Sequence, residues 1–193
     1  MSVVPQSTHH SILLVSGSPA SGKSTLARAL AQILGYPLIS KDTIKESLFD
    51  SLGAHLSGNL NAPEFSSLLS RAAMDLLWPL AAGCPQVILE ANFRPESDHE
   101  RAQIMALAGR KLEIYCHCTP EEAERRFRER AERERHHPAH SMKTMSAELL
   151  KEFDRPIGLC PVIDVDTESP VDPAVDALEV AARIRRHWPD LAK

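Results

Sequence analysis

Two glycines five positions apart, Gly17 and Gly22, interrupt the chain between a short apolar run at 11–16 and a stretch of helical period beginning at Lys23. A run of Ile, Leu and Val that short and that apolar predicts a strand buried on both faces. The stretch that follows places Leu26, Ala27, Leu30, Ala31 and Leu34 on one helical face and stops at Gly35. A strand joined to a helix by a tight glycine turn must bury its sheet under that helix. The same alternation continues to the end of the chain. Strands are predicted at 37–40, 86–91, 112–118 and 161–165. Helices are predicted at 43–52, 62–80, 96–108, 120–135 and 173–187, with a further helix before the last strand. Strands separated by helices pair in parallel through crossovers, so the fold class is α/β with both faces of the sheet covered.

With 193 residues, 43% of them hydrophobic, the chain suits one well-buried core better than two. The expected organisation is a loose tail at 1–10 and a single domain at 11–193. A net charge of −4 gives no general attraction to a polyanion, which argues against nonspecific nucleic-acid binding. Four scattered cysteines make no disulfide framework and fit a reducing cytosol. No signal-like start or membrane-length apolar stretch is found. A soluble cytoplasmic protein is therefore expected.

Read residue by residue, Gly17-Ser18-Pro19-Ala20-Ser21-Gly22-Lys23-Ser24 matches the Walker A pattern in its required strand-to-helix setting. Glycines let backbone N–H groups turn inward, and the helix N-terminus adds positive potential, so this loop is expected to hold the phosphates of ATP. Lys23 would reach the β- and γ-phosphates and the Ser24 hydroxyl would ligate Mg²⁺, with Thr25 next in line. A phosphate loop alone does not establish transfer to an acceptor.

The segment Ile39-Ser40-Lys41-Asp42-Thr43-Ile44-Lys45 resembles the stretch after the phosphate loop in small P-loop kinases. These are AAA-type ATP-binding proteins such as chloramphenicol phosphotransferase-like, gluconate kinase-like, zeta-toxin-like and polynucleotide 5′-kinase-like enzymes. The resemblance implies a nucleoside-monophosphate-kinase fold, a five-stranded parallel sheet in the order 2-3-1-4-5 with a helical lid at about 120–142. It also implies that Asp42 orients or deprotonates an acceptor hydroxyl and that Lys45 contacts the acceptor or the transferred phosphoryl, with Lys41 beside them. Independently of any family, in-line transfer needs a held acceptor and a site for its proton, which a carboxylate at a strand end supplies. Asp42 could also simply cap the helix expected at Thr43.

Val87-Ile88-Leu89-Glu90-Ala91-Asn92-Phe93-Arg94 resembles the family's apolar strand ending in an acid and an Asn. Glu90 could hold Mg²⁺ through water or act as base in place of Asp42, and Asn92 and Arg94 would face the acceptor or the phosphates. In the charged helix, pairs such as Glu121 with Arg125 and Glu124 with Arg128 have the favourable i,i+4 order. Beyond those pairs, Arg126, Arg130 and Arg133 form a stripe. Similar kinases carry lid arginines here, which close over the nucleotide, so Arg126 and Arg130 are expected at the phosphates and Arg133 toward the acceptor. The run His136-His137-Pro138-Ala139-His140 could join the same lid or touch the acceptor. Cys116-His117-Cys118 is a poor metal site because strand alternation sends His117 away from the two thiols. Thr167, after the last strand, resembles the segment beside the adenine.

The reading that follows is ATP- and Mg²⁺-dependent phosphorylation of a hydroxyl on a small molecule. Its rivals are a polynucleotide 5′-kinase, a zeta-toxin-like nucleotide-sugar kinase and an acceptor-free regulatory ATPase. The acceptor-facing stretch 52–80 carries no recognisable pattern, and the oligomeric state stays open.

Overall fold

The computed structural model describes residues 10–56, 60–133, 137–142, 144–169 and 173–192. The expected tail at 1–10 therefore lies almost wholly outside the described residues. Five strands, β1 (Ser11–Gly17), β2 (Leu38–Ser40), β3 (Gln86–Glu90), β4 (Arg110–His117) and β5 (Val162–Asp166), form one sheet in the order β2-β3-β1-β4-β5. Every pairing is parallel. The sheet class and strand order are those expected.

Alternation along β1 divides the core into two layers. Leu13 and Val15 face a cluster with Leu26 and Leu30 of α1 (Lys23–Leu34) and Val180 and Ile184 of α7 (Pro173–His187). Ile12 and Leu14 face Met74, Leu77 and Trp78 of α3 (Ala62–Ala82) and Ile104 of α4 (Asp98–Ala106). Leu13, Leu14, Leu30 and Leu77 are fully buried, each contributing about 2 kcal/mol of apolar burial. A third, smaller cluster of Ala123, Phe127, Met145 and Leu150 ties α5 (Pro120–Arg133) to α6 (Ala147–Lys151).

Three local expectations are corrected. The second helix, α2, runs from Lys41 to Leu56, so Asp42 sits inside its first turn and is not a cap before Thr43. Direct passage from β2 into α2 leaves no loop residue to act as one. In α5, Arg125 pairs with Glu122 and Glu129 instead of Glu121, while Glu124 and Arg128 do pair, at 3.0 Å. The fourth helix begins at Asp98, two residues later than expected, because the Ser97 hydroxyl accepts from the Glu100 N–H and caps it. No helix among the described residues is long and apolar enough to cross a membrane.

Candidate active site

The loop between β1 and α1 is built for close backbone approach. Gly17 has φ 134°, and a Cβ there would lie 2.1 Å from the Cys116 carbonyl oxygen, so only glycine fits against β4. Gly22 has φ 79°, and Ala20, at φ 64°, is the only non-glycine described with positive φ. Thr167 braces the loop from the end of β5. Its hydroxyl lies 2.9 Å from the Ser21 carbonyl oxygen and 2.8 Å from that of His117, and it donates to one of them at a time. Thr167 thus acts on the phosphate loop as well as bordering the expected adenine segment.

Lys23 folds back over the loop and donates to the Ser18 carbonyl at 3.2 Å. Burial lowers its ammonium pKa, against the attraction of Glu90 and Asp42. The Ser24 hydroxyl donates to Glu90 Oε1 at 3.0 Å, and Ser40 donates to Oε2 at 2.5 Å. Glu90 is 2% exposed and 4.0 Å from Lys23 Nζ. It lies behind Ser24 rather than on the acceptor wall, so a role in contact with the acceptor, or as base there, does not fit this placement. The Ser24–Glu90 pair does fit a hard cation, with one hydroxyl and one carboxylate oxygen together at the head of α1. The Ser21 hydroxyl at the same loop is buried without a hydrogen-bond partner among the described residues. These features fit a Mg²⁺-bound polyphosphate.

One cleft of about 1360 Å³ is lined by the phosphate loop, by Lys41, Asp42 and Lys45, and by Arg126 and Arg130 of α5. Asn92, Arg94 and Thr167 line it too. Asp42 lies 3.6 Å from Lys41 Nζ. Burial alone would raise the pKa of its carboxyl, but the combined positive charge of Lys41, Lys23, His140 and Lys45 outweighs this and holds it below the usual carboxylate range. Lys45 is 5% exposed and donates to Ser66 of α3 at 2.8 Å. Ser66 in turn donates to the Ala139 carbonyl at 2.7 Å. That chain joins α2, α3 and the loop beyond α5. His137 and His140 fasten the same loop to Asp50 and Glu46 at 3.1 and 3.0 Å.

The arginines expected in a lid are not equivalent. Arg126 is tied to Glu122 at 2.6 Å and to the Thr167 carbonyl at 2.6 Å, so it clamps the last-strand loop to α5. Arg130 lies 5.9 Å from the Phe127 ring centroid, and its charge acts on Lys23. The Arg133 side chain and His136 lie outside the described residues. Arg94 pairs with Glu100 and Glu152. The buried amide oxygen of Asn92 has no hydrogen-bond partner among the described residues. Cys116 is buried with its thiol pKa pushed up to about 12, His117 turns to Asp164 at 2.6 Å, and no metal-ligating cluster occurs among the described residues. Sequence reasoning missed Ser66 and Glu113.

Comparison with known proteins adds to this geometry. The AAA domain family model matches residues 12–152. A candidate kinase from Chloroflexus aurantiacus J-10-fl is 29% identical, covers 89% of this chain and 97% of its own, and superposes with a TM-score of 0.71. A gluconokinase from Sinorhizobium meliloti 1021 is 18% identical over 96% of this chain and 99% of its own, with a TM-score of 0.61, a likeness of fold alone. Among curated proteins, the adenylyl-sulfate kinase of Chloroflexus aurantiacus is 29% identical over 60% of each chain. The cytidylate kinase of Pyrobaculum neutrophilum is 44% identical over 45 residues, 23% of this chain and 24% of its own. The chain spans between 24% and 60% of the length of the curated relatives it matches. The chain belongs to the AAA domain family and has the fold of the small P-loop kinases.

Proposed function

We propose that the protein transfers the γ-phosphoryl group of ATP to a hydroxyl of a small molecule, with Asp42 as the group that receives the proton. The carrying observation is that the Asp42 carboxylate and the phosphate loop open into one cleft. The backbone of residues 17–24 holds the triphosphate and Lys23 reaches its outer phosphates. The acceptor oxygen, held at Asp42, forms a bond to the γ-phosphorus as the bond to the β,γ-bridging oxygen breaks. ADP leaves with that oxygen, and the hydroxyl proton passes to Asp42. Mg²⁺, held through Ser24 and Glu90, would neutralise charge on the phosphate oxygens. Arg130 faces the loop from α5, where it can oppose charge on the transferred group, while Arg126 holds the lid to the nucleotide side.

A cytidylate kinase and an adenylyl-sulfate kinase occur among the relatives, and a proton-accepting carboxylate suits a hydroxyl acceptor over an ionised phosphate. An ionised phosphate acceptor has no proton to lose, whereas a hydroxyl does. Four carboxylates, Asp42, Glu46, Asp75 and Glu100, are interspersed along the acceptor half of the cleft. That favours a small acceptor over a polynucleotide, whose strand needs a continuous basic groove.

The test is ADP formation with and without a panel of hydroxyl compounds, in wild type and Asp42→Asn. Acceptor-dependent turnover is expected in the wild type. The variant should keep its nucleotide affinity and lose about two to four orders of magnitude in transfer. Turnover that ignores both the acceptor and the substitution would instead mark an acceptor-free ATPase.

A further inference from the structure

The carboxylate of Glu90 is held at both oxygens by hydroxyl groups from two different elements. Ser24, in the first turn of α1, donates to Oε1 at 3.0 Å, and Ser40, the last residue of β2, donates to Oε2 at 2.5 Å. Ser40 and Glu90 are register partners in the parallel pair of β2 and β3, so strand pairing itself sets their side chains on one face of the sheet. Ser40 is also the residue at which β2 passes directly into α2, just ahead of Lys41 and Asp42, and it lines the cleft.

A carboxylate that is 2% exposed needs partners for its oxygens, and Glu90 has the two serine hydroxyls, with Lys23 Nζ 4.0 Å from Oε1. The groups at Oε1 are the ones a metal-bound polyphosphate engages, Lys23 through phosphate oxygens and Ser24 through the cation. Ser40, at Oε2, is engaged by neither. The terminal torsion of a Glu side chain is broad, without sharp staggered wells, so donors on Oε1 alone leave the carboxylate able to turn. A second donor on Oε2 fixes its plane. A cation arriving at Ser24 then meets an oxygen already in position instead of one that must be ordered on binding.

Resting on the kinase reading above, we infer that Ser40 is a positioning residue for the metal: its hydroxyl keeps the Glu90 carboxylate turned toward Ser24, so that the affinity gained when Mg²⁺ accompanies the nucleotide depends on a side chain that acts only through Glu90. The hydroxyl carries this role, and the packing of β2 does not. Groups that orient a metal ligand in this way typically contribute about tenfold or more in metal affinity. Because Ser40 stands at the joint of β2 and α2, the same hydrogen bond ties the metal side of the cleft to the helix that bears Asp42.

The experiment titrates the full chain with a fluorescent non-hydrolysable ATP analogue, once in EDTA and once in saturating Mg²⁺. The ratio of the two Kd values measures what the metal contributes, with no turnover and no acceptor involved. Ser40→Thr and Ser40→Val are nearly equal in shape, suit a strand, and differ in the hydroxyl alone. Ser40→Ala is a second variant without a hydroxyl and with less bulk. The Kd in EDTA is expected to be the same in wild type and all three variants. The gain from Mg²⁺ should survive in Ser40→Thr and fall about tenfold in Ser40→Val and Ser40→Ala. A full Mg²⁺ gain in the variants that lack the hydroxyl overturns the inference, and so does an equal loss in Ser40→Thr. Weakening of equal size with and without metal overturns it as well, because it marks a purely structural serine. In each of those cases the wild type still binds the analogue more tightly with Mg²⁺, and the kinase reading stands. A wild-type chain that fails to bind the analogue under either condition overturns the kinase reading itself.

Discussion

At the scale of single residues, Lys45 shows how burial becomes a functional signal. Burial, reinforced by repulsion from Lys41, lowers its pKa to about 8 in spite of Asp42 and Glu46. The folded chain therefore binds this proton less tightly than the unfolded chain. The sign for stability follows: the unfolded state holds more protons between about pH 8 and the ordinary lysine value, so Lys45 makes the fold more stable as pH rises through that window. Its effect on the acceptor runs the other way, because the ammonium facing the cleft is lost over the same range. Acceptor KM is expected to climb above about pH 8 while nucleotide Kd stays level. Lys45→Arg should abolish that limb, since a guanidinium does not titrate there. Steady-state kinetics across pH check this, and a wild-type KM that stays flat to about pH 10 would contradict it. Gly17 marks the opposite case, a residue selected by what it lacks, since the Cys116 carbonyl occupies the space a side chain would need.

At the scale of elements, one face of β4 holds the acceptor side of the fold in place. Glu113 is fully buried and accepts from the Ser16 hydroxyl at 2.6 Å and from the Ile157 and Gly158 N–H groups at 2.9 and 3.1 Å. Tyr115, two residues along, donates to the Phe153 carbonyl at 3.0 Å, and Phe153 lines the cleft. Glu113→Ala would leave two buried donors and the part-buried Gly158 N–H unpaired and is expected to cost about 3 kcal/mol, read from urea denaturation. Glu113→Gln keeps an acceptor oxygen and should cost less. A loss below about 0.5 kcal/mol for the alanine variant would contradict the assignment. Glu113 was illegible in the sequence for a physical reason. A charged residue within an apolar strand reads as a surface position, and its partners come from strand and loop segments far away along the chain. Helix α7, by contrast, begins and ends where its periodicity and flanking prolines place it, because those signals are local.

For the whole molecule, the phosphate loop, the alternation and the resemblance carried the architecture, since each strand and helix announces itself within a dozen residues. The phosphate-loop side of the cleft stands out in the sequence for the same reason: residues 17–25 are contiguous. The half of the cleft proposed for the acceptor is assembled from α2, α3, the β3 exit and the loop at 137–142, and no single stretch encodes it. Ser66 sits on a helix whose apolar period dominates its reading, and its meaning appears only when α2 brings Lys45 against it. The arginine stripe of α5 was legible as spacing but not in its contacts, because those of Arg126 are set by carbonyls after β5. The central claim joins the two halves: the terminal phosphate held by the loop points toward Asp42 across a shared cleft. A crystal structure of the chain with a non-hydrolysable ATP analogue and Mg²⁺ tests it most directly. The account predicts the β- and γ-phosphates within the amides of residues 17–24, the metal at Ser24, and the γ-phosphorus facing Asp42. A nucleotide bound elsewhere, or a γ-phosphate turned away from Asp42, would contradict it.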